Sequence, residues 1–260
     1  MSSVFQPNLL AGKTAFVTGG SSGICFTMAQ QFAAHGANVA ILGRNPEKLA
    51  AATKDIGGTA IGYSADVRQY DAVENALRQA RDAFGPIDIL IAGAAGNFPA
   101  PALGMSANGF KAVIDIDLLG TFNTCRAAHQ FLRKPGASVI AISASHAHTP
   151  IALQSHVCAA KAGVELLVKT LALEWGPEGI RCNIITPGPT ADTEGMRRLA
   201  PTPEAIAKVE ASVPLRRQGT RQELADLALF LCSPAASFIT GSVYNCDGGS
   251  AIAGHTLGLS

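Results

Sequence analysis

The stretch Gly19-Gly20-Ser21-Ser22-Gly23-Ile24 lies directly between an apolar run, residues 13–18, and a helix-patterned segment that continues to about His35. Strand, glycine turn and helix in that order leave few folds open. Glycines let the backbone approach a pyrophosphate, and the N-terminus of the following helix offers free N–H groups and a positive dipole end. A glycine turn without a ligand has the same local pattern, so the next unit matters. Residues 38–42 form a second apolar strand, closing on Gly43-Arg44-Asn45. Sites for a dinucleotide with a free ribose 2′-hydroxyl usually place a carboxylate there. This chain offers Arg44 instead, whose planar fork suits a 2′-phosphate. The expectation is NADPH over NADH; the alternative is a surface arginine capping a turn.

The alternation continues along the chain. Strands are predicted at 13–18, 38–42, 59–63, 87–91, 138–142, 180–185 and 242–246. Helices are predicted to about 35, then at 46–55, 70–84, 106–132, 155–175 and 221–231. Apolar strands alternating with helices read as an α/β doubly wound parallel sheet of about seven strands, with helices on both faces. No linker or low-complexity segment divides the 260 residues, so one domain over 1–260 is expected. Residues 189–215 carry several prolines and read as a long irregular insert, a candidate substrate lid.

Composition narrows the function classes. The net charge of +1, with no basic stripe, argues against nucleic acid as a partner. No apolar run is long enough to span a membrane. Residues 1–10 lack a secretion signal, and the final Leu257-Gly258-Leu259-Ser260 is not a peroxisomal address. None of the six cysteines forms a CxxC pair, and they read as reduced, packed thiols in a reducing compartment, the cytoplasm. No metal site is expected. His146-Ala147-His148 suggests no third ligand.

Together, Thr18-Gly19-Gly20-Ser21-Ser22-Gly23-Ile24, Ala65-Asp66-Val67, Lys161, Ile180-Arg181-Cys182-Asn183, Pro187-Gly188 and Asp247-Gly248-Gly249 resemble the short-chain dehydrogenase/reductase family. The resemblance runs from about residue 12 to 249. It implies a Rossmann-type sheet, a nicotinamide cofactor and a homotetramer. Gly19, Ser21, Ser22, Gly23 and Ile24 are then expected at the pyrophosphate. Asp66 and Val67 are expected at the adenine, with Pro187, Gly188, Thr190 and Lys161 toward the nicotinamide end.

The departures from the family pattern are informative. The usual tyrosine, four residues before the lysine, is Val157, and the usual serine is Ala144. Neither can transfer a proton. Ser143 and Ser145 flank position 144, but strand neighbours point to the opposite face. Cys25 replaces the usual third glycine of the turn, and Ala92-Gly93 stands where two asparagines often follow the fourth strand.

One branch, the 2,4-dienoyl-CoA reductases and especially the peroxisomal type, is similar in Ala94-Ala95-Gly96-Asn97-Phe98, Asp115-Ile116-Asp117, Leu153-Gln154-Ser155-His156 and Thr193-Glu194-Gly195-Met196. That branch also lacks the tyrosine, and Asp117 matches an aspartate found in its peroxisomal members. A dienoyl thioester takes hydride at its far end and a proton near the carbonyl, so no alkoxide needs protonation. The need is stabilisation of negative charge at the thioester oxygen, then a proton donor. Lys161 is assigned to the ribose and the developing charge, Asp117 to holding a water that delivers the proton, and Asn97 to the thioester oxygen. His146 lies 15 residues before Lys161, where the mitochondrial type resembles this spacing with a tyrosine, and is a candidate donor. The expected partner is a small acyl-CoA-like substrate. Two alternatives stand: a ketoacyl reductase with a displaced donor such as His146, and a cofactor-binding fold without catalysis.

Overall fold

The computed structural model describes residues 4–253. Residues 1–3, part of the segment without a secretion signal, and residues 254–260, with the terminal Leu257–Ser260 sequence, lie outside the described residues.

Seven strands form one parallel sheet in the order β3-β2-β1-β4-β5-β6-β7. They are β1 Thr14–Thr18, β2 Asn38–Gly43, β3 Ile61–Ser64, β4 Ile89–Ala92, β5 Ser138–Ile142, β6 Arg181–Pro187 and β7 Val243–Cys246. Both faces are covered, which is why the central strands read as unbroken apolar runs. Side chains still alternate between two cores. Phe16, Leu90, Val139 and Ile184 face one. Val17, Ile41, Ile89, Ile140 and Ile185 face the other.

The helices divide accordingly. On one face α1 (Gly23–Ala34) packs against α9 (Arg221–Cys232), with Phe32, Leu224 and Leu229 in the shared core. The opposite face carries α3 (Tyr70–Phe84), α5 (Gly120–Ala128) and α6 (Ser155–Trp175), joined by Leu77, Cys125, Val164 and Val168. Helix α2 (Pro46–Ile56) starts where β2 ends. Asn45 accepts from the Lys48 N–H at 2.8 Å and Pro46 occupies the first turn.

The chain leaves β1 toward β2 and β3, then returns to β4 on the opposite side. This reversal opens a crevice beyond the C-terminal ends of β1 and β4. Thr18 ties its two walls together, because its Oγ1 accepts from the N–H of Gly93 at 3.1 Å.

Three local expectations are corrected. The third strand begins at Ile61 rather than 59, after left-handed turns at Gly57 and Gly58. The helix expected over 106–132 is segmented: α4 (Ala107–Val113), a π-helical stretch Ile114–Leu119, α5, and a short turn His129–Phe131. The 189–215 insert is not irregular. It contains α7 (Glu194–Leu199) and α8 (Pro203–Ser212), capped by Thr193 and Thr202. Pro203 opens α8, where its missing N–H costs nothing, so a residue read as a breaker is a starter.

Candidate active site

The crevice at the β1/β4 switch has a volume of about 720 Å³. Gly19, Ser21, Ser22, Ile24, Arg44, Asp66 and Val67 line it. Gly23 lies on an adjoining recess with Ser21 and Ser22. Gly19 has φ +72°, and a Cβ there would meet the Gly93 carbonyl at 2.9 Å. Only glycine keeps that wall open. Arg44 is exposed at the rim and forms no ion pair among the described residues. Sequence reasoning missed Asn45 and Lys48, which join Arg44 on the same rim. The signal was available in Asn45-Pro46, which starts a helix and brings the next turn back over the crevice. Asp66 is held by Arg68 at 2.6 Å, and that hydrogen-bonded pairing lowers its carboxyl pKa. The backbone carbonyl of Val67 accepts from Asn123 at 2.9 Å.

Two departures from the family pattern meet in one wall. The Cys25 thiol sits 3.8 Å from the Gly93 carbonyl, and a Cβ at Gly93 would fall 2.2 Å from its sulfur. The cysteine therefore occupies the volume that any side chain at position 93 would need.

Pro187, Gly188 and Thr190 sit at the end of β6 but do not line the crevice. Gly188 is packed so closely on Asp247 that a Cβ would meet its Cα at 2.5 Å. The Thr190 hydroxyl turns back to the Gly188 carbonyl at 2.9 Å. Thr193, not anticipated for this role, lines the crevice instead.

Behind the residues that line the crevice, the structure joins Asp117 and Lys161, far apart in sequence. Helix α6 packs on the π-helical stretch. The extra residue per turn there is accompanied by a hydrogen bond from Thr121 Oγ1 to the Asp117 carbonyl at 2.6 Å. Asp117 is 1% exposed, and its Oδ1 accepts from the Gly96 N–H at 2.7 Å. Its Oδ2 lies 3.1 Å from Lys161 Nζ, at ion-pair distance although off the hydrogen-bond axis. Lys161 Nζ also donates to the Ile142 carbonyl at 3.1 Å. Its side chain is only 8% exposed, so this is a buried pair with hydrogen bonds on both partners.

Positions 157 and 144 carry no hydroxyl. Val157 is buried in a small apolar cluster with Val113 and Ala160. Ala144 precedes a short turn, Ser145–Ala147. Ser143 Oγ donates to Glu165 at 2.7 Å. His146 is brought close enough to feel Lys161. Burial first, then the Lys161 charge, lower its pKa, and its Nδ1 is buried without a partner. His156 is fully buried, both ring nitrogens lack partners, and its ring lies tilted against that of Phe98, centroids 4.6 Å apart. Asn97 is not gathered in. It is exposed, and its carbonyl accepts from Arg198 of α7 at 3.4 Å.

Among the described residues no helix is long and apolar enough to cross a membrane, and no three His, Cys, Asp or Glu side chains are grouped to hold a metal ion. The cysteines are all free thiols.

A family model described as enoyl-(acyl carrier protein) reductase matches residues 19–251. The peroxisomal 2,4-dienoyl-CoA reductase, (3E)-enoyl-CoA-producing, of Saccharomyces cerevisiae is 43% identical over 94% of this chain and 86% of its own. A probable 2,4-dienoyl-CoA reductase, (2E)-enoyl-CoA-producing, of Bacillus subtilis is 43% identical over 91% of this chain and 96% of its own. A crystal structure of a short chain dehydrogenase from Bacillus anthracis superposes with a TM-score of 0.84 at 39% identity, covering 94% of this chain and 99% of the other.

Proposed function

The chain belongs to the short-chain dehydrogenase/reductase family, and from that premise we propose that it reduces 2,4-dienoyl-CoA, or a similar unsaturated acyl thioester, using NADPH. The observation that carries this reading is the buried Lys161–Asp117 pair in a pocket whose two usual hydroxyl positions are Val157 and Ala144. A ketone reductase must protonate an alkoxide, and nothing at 157 or 144 can do so. Conjugate reduction needs only a cation near the developing enolate and a proton source. The relatives named above act on dienoyl-CoA.

The crevice fits a nicotinamide dinucleotide. Its glycine-floored wall lies beside the N-terminus of α1, and its rim carries Arg44 and Lys48, which suit a 2′-phosphate. The reduced nicotinamide supplies the hydride. Lys161 orients the ribose hydroxyls and favours negative charge at the thioester oxygen. Asp117 holds and aims the water that protonates the carbon next to the carbonyl. The depressed pKa of His146 keeps its ring neutral near pH 7. That suits a hydrogen-bond donor better than an acid, which favours the water route. Asn97 turns its exposed amide to the thioester oxygen when substrate enters under α7 and α8, the lid over 189–215. Pro187, Gly188 and Thr190 support the nicotinamide end from behind. Exposed Leu119, Phe122, Leu166 and Leu173 on the π-helical stretch, α5 and α6 support a homotetramer. The free thiols, three buried and three partly buried, support a reducing, cytoplasmic setting.

The test follows NADPH absorbance with a 2,4-dienoyl-CoA, then with a 3-ketoacyl-CoA, and repeats the first with NADH. Consumption with the dienoyl substrate, and preference for NADPH, is expected. Turnover of the ketoacyl substrate alone would replace this reading with ketone reduction through His146. Tight NADPH binding without turnover of either would make the chain a nucleotide-binding subunit.

A further inference from the structure

Glu165 is a carboxylate that the proposed chemistry does not use. It sits one turn beyond Lys161 on α6 and is 2% exposed. A buried carboxylate is costly unless several groups compensate it. Ser143 Oγ donates to its Oε1 at 2.7 Å. His148 Nε2 lies 2.7 Å from its Oε2, at ion-pair distance although off the hydrogen-bond axis, and Lys169 Nζ 4.0 Å from the same oxygen. Lys161, one turn back, is committed to Asp117.

These partners belong to three separate pieces of the pocket. Ser143 follows Ile142, whose carbonyl receives the Lys161 ammonium. His148 follows His146 in the turn after β5. The backbone hydrogen bonds of that turn are local: Ala147 to Ala144, and His148 and Thr149 to Ser145. His146 is not pinned by its own ring, because Nδ1 has no partner. Among the described residues, the polar attachment of this turn to α6 is therefore the His148–Glu165 pair.

We propose that Glu165 and His148 are positioning residues: the ion pair latches the His146 turn to the Lys161 helix, while the Ser143 bond fixes the end of β5. The latch holds through the 2.7 Å His148–Glu165 contact and loosens when either side chain is removed. The catalytic consequence rests on the reading above, in which His146 borders the reacting thioester.

The test compares Glu165→Gln, which keeps shape, with His148→Ala, a change at an exposed side chain that leaves the core intact. Each is expected to lower kcat about tenfold, with KM for NADPH moved less than about twofold, because a displaced pocket group costs rate rather than cofactor affinity. The double variant should fall no further than the weaker single variant. His148→Lys, which can reach Glu165 from the same turn, should recover part of the kcat lost in His148→Ala. Ring resonances of His146, followed by NMR without substrate, should shift in His148→Ala. Wild-type kcat in both single variants, or additive losses in the double, would overturn the proposal. If the wild type fails to reduce dienoyl-CoA while the His146 resonances still shift, the proposed reaction falls and the latch stands; unshifted resonances remove the latch.

Discussion

Breaking the Lys161–Asp117 pair from one side should cost more than removing it entirely. At 3.1 Å and an effective dielectric near 20, the two charges attract by about 5 kcal/mol. Desolvation of two side chains exposed by 8% and 1% takes back several kcal/mol per ion, so the pair as a whole is close to neutral for stability. Asp117→Asn keeps an acceptor for the Gly96 N–H but leaves the Lys161 ammonium buried with one carbonyl partner. Lys161→Met leaves the carboxylate stranded instead. Each is expected to destabilise by about 3–5 kcal/mol. At roughly 2–4 °C per kcal/mol for a chain of this size, Tm should fall by about 6–20 °C. The double variant should recover at least about 2 kcal/mol relative to the sum of the singles. Trp175, the one tryptophan, is buried and stacked on His129, so its fluorescence in urea reports unfolding. Activity should diverge from stability: Asp117→Asn keeps about one part in 100 of kcat, and Lys161→Met and the double variant lose turnover. Additive stability losses, or near-wild-type turnover in Asp117→Asn, would refute the coupling and the catalytic role respectively.

Arg44→Ala is expected to raise KM for NADPH about tenfold or more while leaving NADH kinetics within about twofold, since only the 2′-phosphate loses a partner. Steady-state assays with both cofactors check this. Burial pushes the Cys25, Cys182 and Cys232 thiols up to about 12, so native protein at pH 8 should resist iodoacetamide at all three, as read by peptide mass spectrometry. His146 titrates below its unfolded value of 6.5. In that window the unfolded chain binds more protons, so its contribution to stability is complete above about pH 6.5 and is lost as pH falls toward the folded pKa. Urea midpoints from pH 7.5 to 5 should fall for the wild type and fall less for His146→Gln.

What the sequence revealed was what is locally encoded. The sheet was legible because each strand is a continuous apolar run, and the crevice because glycines at 19 and 23 sit between a strand and a helix. Arg44 was legible because it ends β2. The Lys161–Asp117 contact spans 44 residues and depends on a π-helical turn that no local pattern announces. The family resemblance singled out both residues but not their contact. Pro187, Gly188 and Thr190 do not line the crevice: Gly188 packs on Asp247 and the Thr190 hydroxyl donates to the Gly188 carbonyl. Helices α7 and α8 were missed for a different reason: the prolines of 189–215 were weighed as breakers without the threonine caps at 193 and 202. Glu165 gave no signal at all, since glutamate on a mostly apolar helix ordinarily faces water.

The contact between Cys25 and Gly93 also couples the two positions. With 2.2 Å between the sulfur and a β-carbon built at 93, any side chain there requires the thiol to turn away or be replaced by something smaller. Gly93→Asn should therefore be better tolerated beside Cys25→Gly than beside the native cysteine. The volume of this wall belongs to the pair, and neither residue can grow without its neighbour giving way.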